Sequence, residues 1–160
     1  MIPSDETRHQ LVRLLQLAYS GEKAAALAYR GHSRSVRDLE EKAMIAKIEQ
    51  DEWVHREKVG RLLAQLEARP LRSREIRSSL VGHALSLLCR FTGWFLPMYF
   101  AGKLETQNVC QYDKAAEYAA ALGRPELIPD LMEMAAVEIE HEKFFLGVLG
   151  RSAPGQRRCE

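Results

Sequence analysis

Apolar residues recur along the chain at alternating spacings of three and four, the signature of helices with one buried face. Between Ser4 and about His32 that face is Leu11, Leu15, Ala18, Glu22, Ala25 and Tyr29, and Glu22 is its only charge. Gly31-His32-Ser33 is expected to break this first helix. A second is predicted to begin near Ser35, where Ser-Val-Arg-Asp resembles a capping box with Asp38 as its acid. It should run to about Arg69, ahead of Pro70. Pro97 suits the first turn of a third long helix, reaching about Leu122 before Gly123. A fourth follows Pro125 and ends near Gly150, and Pro129 calls for a later start or a distorted first turn.

The segment before Pro97 breaks the amphipathic pattern. Leu80 to Phe100 reads LVGHALSLLCRFTGWFLPMYF, with Arg90 and His83 as its only ionisable basic groups, and Arg72, Arg74 and Arg77 precede it. The uninterrupted run from Leu80 to Cys89 is too short to span a bilayer. With Trp94 and Tyr99 at its end it suits peripheral contact with a membrane surface over residues 80–100. A crossover helix that caps the bundle or forms a homodimer interface is the reading we favour. Four long helices in two hairpins, joined by so long a connection, predict an all-α fold. That fold is a ferritin-like four-helix bundle of two antiparallel hairpins, with a long, partly helical apolar crossover between helices 2 and 3. It should occupy residues 1–150 as one domain, followed by a disordered tail over 151–160.

Composition adds mainly exclusions. The 160 residues are 46% apolar and 28% charged, with a formal net charge of +1. Nothing in that balance points to nucleic acid. Cys89, Cys110 and Cys159 form no Cys-x-x-Cys pair, so neither a disulfide framework nor a thiolate metal site is indicated. Two are expected as small core residues and one as a tail thiol. The N-terminal MIPSDETRHQ lacks the basic-then-apolar order of a secretory signal. A cytoplasmic location follows as the expectation, with the apolar stretch adding a peripheral-membrane variant.

The chemistry lies in two copies of Glu-x-x-His, at Glu52–His55 and Glu138–His141. Residues three apart share a helical face, so a carboxylate and an imidazole reach one ion together. Each copy stands on the second helix of its hairpin, and each first helix carries a matching glutamate, Glu22 or Glu105. Glu22 sits among small and apolar neighbours, and Glu105 follows Tyr99, Phe100, Ala101 and Leu104. A buried carboxylate is costly without a partner or a metal. Four glutamates with two imidazoles balance two divalent cations, and this donor set suits iron or manganese better than structural zinc. Either motif alone is most simply a solvated helix face; two, each with a core-facing glutamate at hairpin distance, are not. Glu49, Glu140 and Glu142 lie within a turn of the motifs and are expected on solvated faces. Tyr29 and Tyr112 each lie two turns beyond a candidate ligand glutamate. They are candidates for hydrogen bonding around the ligands, with amphipathic core packing the simpler account. Asp51 is a candidate acceptor that would orient a ligand imidazole.

The segment GEKAAALAYRGH (21–32) together with both Glu-x-x-His motifs resembles the demethoxyubiquinone hydroxylase family, and more broadly the rubrerythrin-like members of the ferritin-like superfamily. The resemblance covers roughly residues 10–148. It implies a non-haem di-iron site, with Glu22, Glu52, His55, Glu105, Glu138 and His141 as ligands, that activates O2 and hydroxylates a quinone or another small apolar substrate. The stretch KLETQNVC (103–110) departs from the paired acidic residues of the hydroxylases, and the cysteine-ligated iron domain of rubrerythrins has no counterpart. Other readings of the same bundle are a ferroxidase or iron-handling subunit, a rubrerythrin-like peroxidase, and a non-enzymatic helical interaction protein. The last predicts an exposed Glu22 and Glu105.

Overall fold

The computed structural model describes residues 4–150, and every regular element among them is helical. In order these are α1 (Ser4–Ser35), α2 (Leu39–Gln65), α3 (Arg72–Leu88), α4 (Phe95–Ala121), a 3₁₀ turn (Pro125–Leu127) and α5 (Ile128–Val148). They fall into two compact units. One holds residues 16–97, and the other holds the start of α1 with residues 98–150. The expected tail over 151–160 lies outside the described residues.

In the first unit α1 and α2 run antiparallel. Gln16 donates to the Arg69 carbonyl just beyond α2, Arg56 to the Tyr19 carbonyl, and Arg30 to Glu49, so partners move down toward the start of α2 as they climb α1. The helix does not break at Gly31, as the sequence suggested; it continues to Ser35. Gly31 is a contact residue, because a side chain there would collide with Ser86. Gly82 repeats the device from the other side, since a Cβ would come within 2.8 Å of the Ala24 carbonyl oxygen. Both glycines accept the entropic cost of a helical interior so that two backbones can approach.

The apolar crossover is therefore a helix laid along α1. Its contacts rise together with α1, from Lys23 with Glu75, through Ala24 and Leu27 with Gly82, to Gly31 with Ser86. Arg56 of α2 fastens the third helix. Its guanidinium donates to Glu75 (Nη1–Oε1 3.1 Å), donates to the Tyr19 carbonyl at 2.6 Å, and stacks 3.7 Å from the centre of the Tyr19 ring.

Two helix ends differ from expectation. Asp38 does not play the acid of a capping box; it is itself the N-cap, and its Oδ1 accepts from the backbone N–H of Glu40 and Glu41. The end of α2 comes at Gln65 rather than near Arg69. Glu67 adopts a positive φ of 54°, and the Ala68 N–H reaches back to the Leu63 carbonyl. This is the closing geometry usually supplied by glycine.

The second unit is built on the α4–α5 hairpin. Gly102 faces Phe145, and Thr106 donates to Glu142, again in antiparallel order. Gly123 turns the chain at φ 68°, and the 3₁₀ turn lets α5 start late, with Pro129 in its first turn where no N–H is missed. Val109, Tyr112, Leu127, Leu131, Met134 and Phe145 are buried in this unit. Around the α3–α4 connection many apolar side chains stay in solvent, among them Leu80 (68% exposed), Phe91 (78%) and Phe100 (61%). No described helix is long and apolar enough to cross a membrane.

Candidate metal centre

The buried face of α1 is the one read from the sequence: Leu11, Leu15, Ala18, Glu22, Ala25 and Tyr29 are all buried. Because α1 runs on to Ser35, the turn centres on Arg37, which lies midway in sequence between Glu22 and Glu52. The two glutamates therefore stand at one level, where a turn at Ser33 would have left them mismatched. Glu52 and His55 follow one another by a helical turn on α2. Glu22, Glu52 and His55 are buried, and each offers a ligand atom within 4.8 Å of the other two.

The second unit repeats the arrangement. Glu105 of α4 and Glu138 and His141 of α5 are buried, with ligand atoms within 4.8 Å of one another. His141 Nδ1 lies 3.4 Å from Glu138 Oε2 and 3.9 Å from Glu105 Oε2. Asn108 Nδ2 stands 3.5 Å from Glu105. Burial, and then hydrogen bonding and repulsion from Glu138, push Glu105 up to about 8. For His141 burial disfavours the cation, but hydrogen bonding and attraction from Glu105 and Glu138 outweigh it and push the imidazole up to about 10. In metal-free protein burial and mutual contact thus favour the protonated forms of Glu105 and His141.

Two glutamates expected on solvated faces are buried instead. Glu49 lies one turn before Glu52 and pairs with Arg30 at 2.8 Å. Glu142 lies one turn after Glu138 and accepts from the Thr106 hydroxyl. Spacings of three and four put both on the ligand face, a signal present in the sequence. Glu140 is exposed, as expected, and pairs with Lys143. Tyr29 and Tyr112 are buried, and Tyr29 stacks on His32 with ring centres 6.5 Å apart. His32, expected at the break after the first helix, is instead buried within α1, and desolvation pushes it down to about 4. Half-buried Asp51 accepts from Lys47 at 2.5 Å. Cys89 and Cys110 are half-buried rather than core residues, and Cys159 lies outside the described residues.

Each triad is two carboxylates and an imidazole in a dry setting. This oxygen-rich set fits a hard divalent ion such as iron or manganese, and no thiolate takes part. Glu22 and Glu105 are both buried, which removes the ground for a purely solvated acidic bundle.

Residues 9–144 match the family of the ubiquinone biosynthesis protein COQ7. The chain belongs to this family. Its members are ferritin-like di-iron hydroxylases of ubiquinone biosynthesis, which is the family the sequence motifs resembled. No curated protein matches the chain. A crystal structure of a protein from Xanthomonas campestris pv. campestris aligns with a TM-score of 0.73 over 89% of each chain at 18% identity. At that identity the likeness shows a shared fold. The all-helical, ferritin-like class expected from the hairpin pattern holds.

Proposed function

We propose that the two triads form one di-iron centre within a single ferritin-like domain, and that the protein is an O2-activating hydroxylase of a quinone or other small apolar substrate. The observation that carries this reading is the repetition of a buried Glu/Glu/His triad on both hairpins of a chain from the COQ7 family. Glu22, Glu52, His55, Glu105, Glu138 and His141 would hold the two ions. Four carboxylates then offset two divalent charges. Manganese fits the same donors.

Bound iron would supply the electron transfer to O2 and the oxidising power that reaches the substrate. Hydroxylation with O2 also consumes two further electrons and two protons, so an external reductant is required. The chain's own part is to hold the ligands in a dry interior and to manage protons. Arg30 fixes Glu49 and Thr106 fixes Glu142, each one turn from a ligand. Glu105 and His141 release their protons when a cation enters. Tyr29 and Tyr112 are proposed as hydrogen-bonding neighbours of the ligands, and Asp51 as the group that orients a ligand imidazole. The exposed apolar side chains within 80–100 support peripheral contact of a cytoplasmic protein with a membrane surface, where an apolar substrate would be met; a homodimer is the competing occupant of that face.

The test is an anaerobic Fe(II) titration of metal-free protein, followed by O2 under an optical spectrometer. Binding that stops at two irons per chain, with an optical change on O2 addition and hydroxylated quinone product, is the expected result. Uptake continuing far past two would favour iron storage, and no binding at all would remove the metal centre.

A further inference from the structure

The α1–α2 turn and the α3–α4 connection border an open cleft of about 840 Å³ in the first unit. Three guanidinium groups line it: Arg34 at the end of α1, Arg37 in the turn and Arg90 just after α3. All three are exposed, and none has an ion-pair or hydrogen-bond partner among the described residues. The two acids of the cleft are already engaged. Asp38 accepts from the first backbone N–H groups of α2, and Glu41 Oε2 accepts from Trp94 Nε1 at 2.7 Å.

Three cations against two carboxylates, both held by neutral N–H donors, leave the concavity net positive and attract anions to it. Guanidinium forks match phosphate oxygens in pairs, a fit that single ammonium groups do not give. Trp94 forms part of the wall, and the neighbouring Phe91 and Phe95 are exposed, so an apolar tail attached to a phosphate meets apolar surface at the rim. We propose that this cleft is a binding site for a phosphate ester, held by Arg34, Arg37 and Arg90. The phosphate has two possible sources, the headgroup of an anionic phospholipid or a soluble phosphate ester. The site lies apart in sequence from both triads and does not depend on the metal reading.

Trp94 is a built-in reporter, and Trp53→Phe isolates its emission. The full chain is titrated with inorganic phosphate, with phosphatidylglycerol vesicles and with phosphatidylcholine vesicles. A saturable change in Trp94 emission is expected from phosphate or from the phosphatidylglycerol vesicles. Arg34→Gln/Arg90→Gln should weaken it about tenfold. Arg72→Gln/Arg77→Gln removes the same charge from α3 outside the cleft and should leave it unchanged. A response to phosphate identifies a soluble ligand; a response to phosphatidylglycerol alone identifies a lipid headgroup. Silence with every probe overturns the proposal. So does equal weakening by both double variants, which would mean diffuse attraction rather than a site.

Discussion

The α1–α2 triad and the α4–α5 triad carry the same donors at nearly the same spacing, yet they meet the cost of buried charge differently. Beside Glu52 the additional buried acid, Glu49, is answered by the cation of Arg30. Beside Glu138 the additional acid, Glu142, is answered by the neutral hydroxyl of Thr106, and protons stay on Glu105 and His141. A buried carboxylate is stabilised by a charge, a hydrogen bond or its own proton, and the two hairpins use different members of that set. The first region also has a third helix locked to it by Arg56 and the close glycine contacts.

Replacing the glutamate of either Glu-x-x-His motif should break the comparison most severely. Glu52→Ala and Glu138→Ala are each expected to reduce Fe(II) uptake to one ion per chain or less, read by anaerobic titration. If one substitution leaves full uptake, the triads are not equivalent halves of a centre. Next in size is the lock on α3. Arg56→Ala strips Glu75 of its closest cation and should cost about 3 kcal/mol in denaturant unfolding, while Arg56→Met with Glu75→Leu should recover much of it.

Acidity should then separate the regions by sign. His32 has a folded value of about 4, below the ordinary 6.5, so its contribution is complete above pH 6.5 and is lost as pH falls through 4. That amounts to about 3 kcal/mol. Glu105 and His141 are raised, so in metal-free protein their contribution is present at low pH and is lost as pH rises through 8 and 10. Hydrogen exchange resolved by segment should show α1 loosening on acidification and α4–α5 loosening on alkalinisation. Movement in the same direction would remove the distinction. The smallest effects sharpen it: Arg30→Gln and Thr106→Val should each cost about 1–2 kcal/mol in metal-free protein. Iron should offset more of the Arg30→Gln loss, because the uncovered Glu49 charge attracts a cation. Melting with and without Fe(II) measures this.

Much of this was readable along the chain because helical periodicity maps spacing onto faces. The stripe from Leu11 to Tyr29 and both Glu-x-x-His pairs are local patterns, and burial followed them. Gly31 misled because a glycine that ends a helix and one that admits a neighbouring backbone look alike in one dimension. The end of α2 is not legible in the sequence, because Glu67 takes a left-handed conformation that its identity does not announce. The burial of Glu49 and Glu142 is hidden along the chain because their partners, Arg30 and Thr106, stand on other helices.

By itself, then, the sequence determined the helical class, the two hairpins, the six candidate ligands and the family, since each is written in residue type and spacing within a helix or across a turn. Tertiary structure decided what depends on residues distant in the chain. It laid α3 along α1, drew the α1–α2 turn to Arg37 so that Glu22 and Glu52 share a level, and set Arg90 beside Arg34 and Arg37. Such contacts arise from backbones approaching in space, and periodicity carries no record of that distance.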